Sequence, residues 1–232
     1  SCNAGCLGCI SLQEGSGICA TQERIGFVPT PEEVRAVAAP HLKRAPGAVA
    51  SFGQGCEGEP LLQASLLERS IRQIREDTSR GTVNLNTNAS LPEAVLRLRR
   101  AGLDSIRVSL SSCRPDYYHR YYRPKGYGFD DVKEAARGFK EAGGFVSLNY
   151  FVLPGFTDEP AEFEALCGFL EETRANLIQM RNLNIDPEWY LASIGYVPEG
   201  EPLGIRALLD RLRERFPGIR FGYYNPCLDP GA

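Results

Sequence analysis

Short apolar runs alternate with longer amphipathic stretches along most of this chain. Six runs read as strands, at residues 48–53, 82–87, 105–110, 145–152, 177–181 and 219–224. They are short, apolar and partly β-branched, the pattern of strands buried beneath helices. The stretches between them carry helix signals. Thr30-Pro31-Glu32-Glu33 and Ser90-Leu91-Pro92-Glu93 both read as capping boxes with proline in the first turn. Apolar residues then recur at helical spacing: Leu91, Val95 and Leu98, with Gly102 as the stop; Phe163, Leu166 and Leu170; Ile205, Leu208, Leu209 and Leu212. These stripes are packing faces.

Strand and helix in strict alternation with short connections predict an α/β fold with a parallel sheet. A doubly wound sheet and a (β/α) barrel both satisfy the pattern. The length of 232 residues suits one domain with a full core, or a domain and a short appendage. Apolar residues at 43% and charged residues at 24% are ordinary for a globular protein. A net charge of −3 gives no sign of a nucleic-acid-binding surface. No apolar run approaches the roughly 20 residues that span a bilayer, and no secretory leader is expected before the first cysteine.

The chemistry is concentrated in cysteine. Cys2, Cys6 and Cys9 stand in the spacing Cys-x3-Cys-x2-Cys, which supplies three thiolates and not the four of a structural zinc site or a ferredoxin-type cluster. Three thiolates on one tight loop can hold three irons of a cubane and leave the fourth open to a small molecule; Gly5 and Gly8 let the loop turn tightly. The competing reading is a partial zinc site completed by a distant Cys or His. Cys19, Cys56, Cys113, Cys167 and Cys227 are scattered singly. That is no disulfide framework, and it leads to the expectation of a cytoplasmic protein with reduced thiols. No second cysteine group suggests another cluster.

The triplet and several downstream segments resemble the radical S-adenosylmethionine (SAM) family over nearly the whole chain. Glu57-Gly58-Glu59-Pro60 looks like the family's Gly-Gly-Glu-Pro segment, with Glu57 in place of the first glycine. Thr87-Asn88-Ala89 looks like its Thr-Asn-Gly. Val108-Ser109-Leu110-Ser111 is similar to its Val-Ser-Leu-Asp, and Ser111 falls on the same strand face as Ser109. In the family a helix at about residues 117–123 delivers an arginine; Arg123 is the candidate and Arg120 the runner-up. Residues 147–159, ending Pro154-Gly155-Phe156-Thr157-Asp158-Glu159, resemble the family's fifth strand and its continuation. The strand at 177–181 carries Gln179 and Arg181, polar groups that need partners if buried. The residue before the third cysteine is usually aromatic in the family; here it is Gly8.

The resemblance implies an incomplete (β/α)6 TIM-like barrel over 1–232, with a cysteine loop at 1–19, βα units at 31–216 and a C-terminal strand and tail at 217–232. The family places a strand before its cysteine loop, so a segment upstream of Ser1 is expected. The resemblance also implies a [4Fe–4S] cluster on Cys2, Cys6 and Cys9, and SAM contacts from Gly58, Glu59, Asn88, Ser109, Ser111, Arg123, Asn149, Gln179 and Arg181. The implied activity is reductive cleavage of SAM to a 5′-deoxyadenosyl radical that takes hydrogen from a substrate. An electron donor such as a flavodoxin or ferredoxin would serve it. A non-catalytic iron–sulfur electron carrier or a zinc-stabilised binding domain is the alternative. The substrate is not legible, because one fold hosts many reactions.

Overall fold

The computed structural model describes residues 1–11, 24–55 and 57–229, so Cys19 and Cys56 lie outside the described residues. In chain order the elements are α1 (Pro31–Arg44), β1 (Val49–Phe52), a 3-10 turn (Pro60–Gln63), α2 (Ala64–Asp77), β2 (Thr82–Thr87), α3 (Pro92–Ala101), β3 (Ser105–Leu110), α4 (Pro115–Tyr122), α5 (Phe129–Glu141), β4 (Phe145–Val152), α6 (Pro160–Thr173), β5 (Leu177–Asn182), α7 (Pro187–Ile194), α8 (Ile205–Arg215) and β6 (Arg220–Gly222). The six strands form one sheet in the order β1-β2-β3-β4-β5-β6, and every neighbouring pair is parallel. This is the incomplete barrel that the resemblance implies.

The strands alternate in a way that their overall apolar look conceals. Val83, Leu85, Ile106, Val108, Leu110, Val146, Leu148, Tyr150 and Ile178 belong to the main core, together with Leu67, Ile71, Leu98, Val132, Phe139, Leu166 and Leu208 of the helices. The opposite strand face carries Ser51, Asn84, Asn86, Ser105, Arg107, Ser109, Ser147, Asn149, Gln179 and Arg181, which alternate with those core positions. It is mainly polar, with Phe145, Phe151 and Leu177 towards its ends, and among the described strand residues it contains no carboxylate.

One side chain of the tail demonstrates the curvature of the sheet. Asn225 donates to Ser51 Oγ on β1 at 3.3 Å and to Asn86 Oδ1 on β2 at 3.1 Å, and accepts from Gln179 Nε2 on β5 at 3.0 Å. A flat sheet would hold β1 and β5 far apart at nearly 5 Å per strand. The edges β1 and β6 do not pair with each other; the tail crosses the gap. It is held further by Leu228 N–H to Thr82 Oγ1 at 2.7 Å and Gly81 N–H to Asp229 Oδ2 at 3.1 Å.

Local signals act as read in most places. Thr30 and Glu33 form a reciprocal capping box at α1, and Gly102 ends α3 in the left-handed conformation. Ser90 is the exception. The N-cap of α3 is Leu91, without a side-chain cap, because the Ser90 hydroxyl accepts from Asn3 Nδ2 at 2.9 Å. A long-range contact to the cysteine loop has displaced the local cap. Helix α7 carries no periodic stripe strong enough to announce it; Asp186 caps it by accepting from Trp189 N–H.

Candidate functional site

The cysteine loop is tied to the segments that follow three successive strands. After β1, Glu59 N–H donates to Ser1 O at 3.0 Å. After β2, Asn88 Nδ2 donates to Asn3 Oδ1 at 2.9 Å, beside the Asn3–Ser90 bond. After β3, the last turn of α4 presents carbonyls that no helical N–H can reach. Gly5 N–H takes Tyr122 O at 2.9 Å and Leu7 N–H takes Tyr121 O at 3.1 Å, while Lys125 N–H donates to Asn3 O at 2.8 Å. The loop is thereby fixed over the carboxyl ends of β1, β2 and β3, the end at which barrels of this kind carry their chemistry.

Two glycines show how close that approach is. Gly58 has φ +77°, and a Cβ there would sit 2.2 Å from Ser1 O. A Cβ on Gly8 would sit 3.0 Å from the Tyr121 hydroxyl and 3.1 Å from Ile185 Cγ2. Tyr121 and Ile185 thus occupy the space into which a larger residue before Cys9 would grow. Glu57, standing where the family has its first glycine, closes the turn after β1: its carboxylate accepts from Gly53 N–H at 2.9 Å and Gln54 N–H at 3.4 Å.

Glu59 is buried, and its carboxylate links two strand ends. Oε1 accepts from Thr87 Oγ1 at 2.6 Å and Leu61 N–H at 3.0 Å, and Oε2 from Asn88 N–H at 2.8 Å. Burial raises its pKa against these three donors. Asn88 is similarly engaged, its Oδ1 accepting from Ser90 N–H at 3.0 Å. Ala89 follows at φ +56°, the conformation that a glycine at this place in the family motif would adopt without strain.

The three cysteines of the loop are half-buried. Burial raises the pKa of Cys6, and Cys2 and Cys9 add to it; burial likewise raises that of Cys2. Arg24 is a neighbour that sequence reasoning missed. It donates to Cys9 Sγ at 3.9 Å and to Ser11 Oγ at 3.2 Å, and no spacing in the sequence connects it to the triplet. Among the described residues no three His, Cys, Asp or Glu side chains converge as ligands of a single ion do. A cubane asks for a wider triangle, since each thiolate sits on a different corner.

The remaining predicted residues divide into three groups. Ser109 and Asn149 lie on the inward face of β3 and β4, and Ser111 follows β3 beside the Tyr190 hydroxyl; Asn149 Oδ1 is buried without a hydrogen-bond partner among the described residues. Gln179 and Arg181 are held by the tail: Gln179 by Asn225, and Arg181 by Tyr223 O at 2.9 Å and by the Tyr223 ring at 4.0 Å. Arg123 ends α4 at φ +46° and is exposed, while Arg120 donates to Ile194 O at 2.8 Å and so caps α7. Leu7 of the cysteine loop packs with Tyr117, Phe156, Tyr190 and Ile194 in a separate apolar cluster. Phe151 and Tyr190 meet there with ring centroids 5.1 Å apart, which roofs the β4–β5 side of the mouth with aromatic surface.

Residues 1–167 match the Radical SAM superfamily. Over 146 residues the chain is 30% identical to GTP 3',8-cyclase of Petrotoga mobilis, a match that covers 62% of this chain and 39% of that protein. A 109-residue stretch is also 30% identical to a Dickeya chrysanthemi protein named 6-phospho-beta-glucosidase, covering 47% of this chain and 21% of that one. Among solved structures, Streptococcus suis SuiB bound to S-adenosylmethionine superposes with a TM-score of 0.63 at 14% identity, over 97% of this chain and 48% of that one. The chain spans less than half the length of these relatives. With its three-cysteine loop fixed over the mouth of an open parallel barrel, the chain belongs to the radical SAM superfamily and forms a core domain of it.

Proposed function

We propose that this chain is the catalytic core of a radical SAM enzyme, with Cys2, Cys6 and Cys9 as the protein ligands of a [4Fe–4S] cluster. The observation that carries the reading is the anchoring of the loop. Hydrogen bonds to Glu59, Asn88, Ser90, Tyr121, Tyr122 and Lys125 hold three thiols over a polar barrel interior. The donor set fits the group: three soft sulfurs on one loop, with a glycine where the backbone of Ser1 passes at van der Waals contact.

Cys2, Cys6 and Cys9 would hold the cluster, which would supply the one electron that cleaves SAM reductively to methionine and a 5′-deoxyadenosyl radical able to take hydrogen from the substrate. The residues of this chain position and shield. Gly58 lets the backbone of Ser1 pass against the segment that follows β1. Ser109, Ser111 and Asn149 offer hydroxyls and an amide at the end of β3 and on β4, with Asn149 Oδ1 unused among the described residues. Tyr121, Phe151 and Tyr190 keep one side of the mouth dry.

The test is anaerobic reconstitution with iron and sulfide. The protein should be brown, its reduced EPR signal should change on adding SAM, and the variant Cys2→Ala/Cys6→Ala/Cys9→Ala should lose the cluster. Near-normal iron and sulfide in that variant would overturn the assignment. An EPR signal indifferent to SAM would favour the electron-carrier reading.

A further inference from the structure

Arg107 is the unusual residue of the barrel interior. It stands on the inward face of β3, paired in register with Asn86 of β2 and Ser147 of β4. Among the described residues its one hydrogen bond is a long one, from Nη1 to Gln179 Oε1 at 3.4 Å. Its Nε is buried and has no hydrogen-bond partner among the described residues. Among the described residues neither Arg107 nor Arg181 forms an ion pair, whereas partly buried Arg75 pairs with Asp104 and Arg114 with Glu159 and Glu199; Arg99, also without an ion pair, instead donates to the carbonyls of Ala142, Leu103 and Gly143. A guanidinium held in a protein interior without a counter-charge is expensive, and proteins rarely leave one so.

The surroundings sharpen the point. Every other inward-facing strand residue from β2 to β4 that neighbours Arg107 is neutral: Asn84, Asn86, Ser105, Ser109, Ser147 and Asn149. The charge that acts on Arg107 is Arg181, of the same sign. Burial, reinforced by Arg181, pushes the Arg107 pKa down to about 10. The amide of Asn86 accepts through Oδ1 from both Asn84 and Asn225, which leaves its Nδ2 as a second buried donor without a partner. Arg107, Ser109, Asn149 and Arg181 are only half-buried despite standing on the inner face, so solvent and small molecules reach them from the mouth. Gln179, pinned by Asn225, fixes the far side of the guanidinium.

We infer that Arg107, with Asn86 beside it and Arg181 across the barrel, is the binding site for an oxyanion on the substrate, a carboxylate or a phosphate. Two unpaired positive charges and two idle donors, with no acidic residue among them, are complementary to that chemistry and to little else. The planar fork of arginine matches either group in a bidentate way. The inference rests on the proposed function in treating the barrel interior as the substrate site. It separates from the SAM contacts because Arg107 lies one inward layer deeper than Ser109, towards the start of β3.

Anion binding can be read independently of turnover. Reconstituted protein is titrated calorimetrically with inorganic phosphate and with acetate at constant ionic strength, with chloride as the control, and iron is measured on the same samples. Phosphate or acetate should bind in preference to chloride, and the stronger of the two identifies the group. Arg107→Met should weaken that binding by about 10-fold or more, the factor expected for losing hydrogen bonds to a charged group, with SAM affinity unchanged. Arg107→Lys keeps the charge, guards against a folding failure of the methionine variant, and should show an intermediate loss. Equal anion affinity in wild type and both variants would overturn the inference. So would a loss of SAM affinity in Arg107→Met that matches the anion loss, since the oxyanion would then be SAM's own carboxylate. Protein that binds no iron yet binds phosphate through Arg107 would refute the proposed function and leave the anion site standing.

Discussion

Replacing Gly58 by alanine places a methyl carbon 2.2 Å from the Ser1 carbonyl oxygen and 2.9 Å from its carbon. Two costs follow, and they go to different parts of the molecule. The first is conformational. Gly58 has φ +77°, where an L-residue loses about 1–2 kcal/mol. That cost remains whatever the loop does. For a domain of this size it lowers Tm by about 2–8 °C, at roughly 2–4 °C per kcal/mol. The second cost is the overlap with Ser1, which is backbone and cannot rotate away. It is relieved only if the loop lifts, breaking the Glu59 N–H to Ser1 O bond, worth about 1 kcal/mol. The expected outcome is a folded protein that reconstitutes poorly. Gly126→Ala is the matched control: its φ is +78° and a Cβ there has nothing within 4 Å. Both variants should lose similar thermal stability in differential scanning calorimetry, and only Gly58→Ala should lose iron and sulfide per chain. If Gly58→Ala retains as much iron as Gly126→Ala, the loop does not depend on this approach and the account of the anchor is wrong.

Two further expectations concern buried carboxyls. Glu59→Gln keeps the size of the side chain but turns an NH2 group towards one of three donors, Thr87 Oγ1, Leu61 N–H or Asn88 N–H; it should destabilise the chain by about 1–3 kcal/mol, and an unchanged urea midpoint would contradict this. Glu162 accepts from Ser112 Oγ, Cys113 N–H and Tyr150 OH at 2.5–2.7 Å, and burial raises its pKa from 4.5 to about 7. The folded protein therefore holds a proton that the unfolded chain releases near 4.5, so this group's contribution is complete below pH 4.5 and lost as pH rises through about 7. The span is about 3 kcal/mol; urea melts from pH 5 to 8 should show it, and a slope undiminished in Glu162→Gln would assign the effect elsewhere.

Sequence and tertiary structure contributed different things, and the division has a physical basis. The order of elements was legible because burial of strands beneath helices imposes local periodicity. Three of the six strand ranges read from the sequence, 82–87, 105–110 and 145–152, coincide with the observed strands. The three-cysteine spacing was legible because a cluster on one loop makes its ligands neighbours in sequence. The motif after β1 was legible for the same local reason. What the sequence could not show is long-range pairing. Ser90 looks like a helix cap, yet it holds Asn3, 87 residues away. Gln179 and Arg181 promised partners without naming them, and the partners are Asn225 and Tyr223 in a tail with no periodic signal. Arg107 drew no notice in a strand of ordinary appearance. Its meaning lies in what surrounds it, five strands turned inward with no carboxylate among them, and only the curvature of the sheet brings those side chains to face one another.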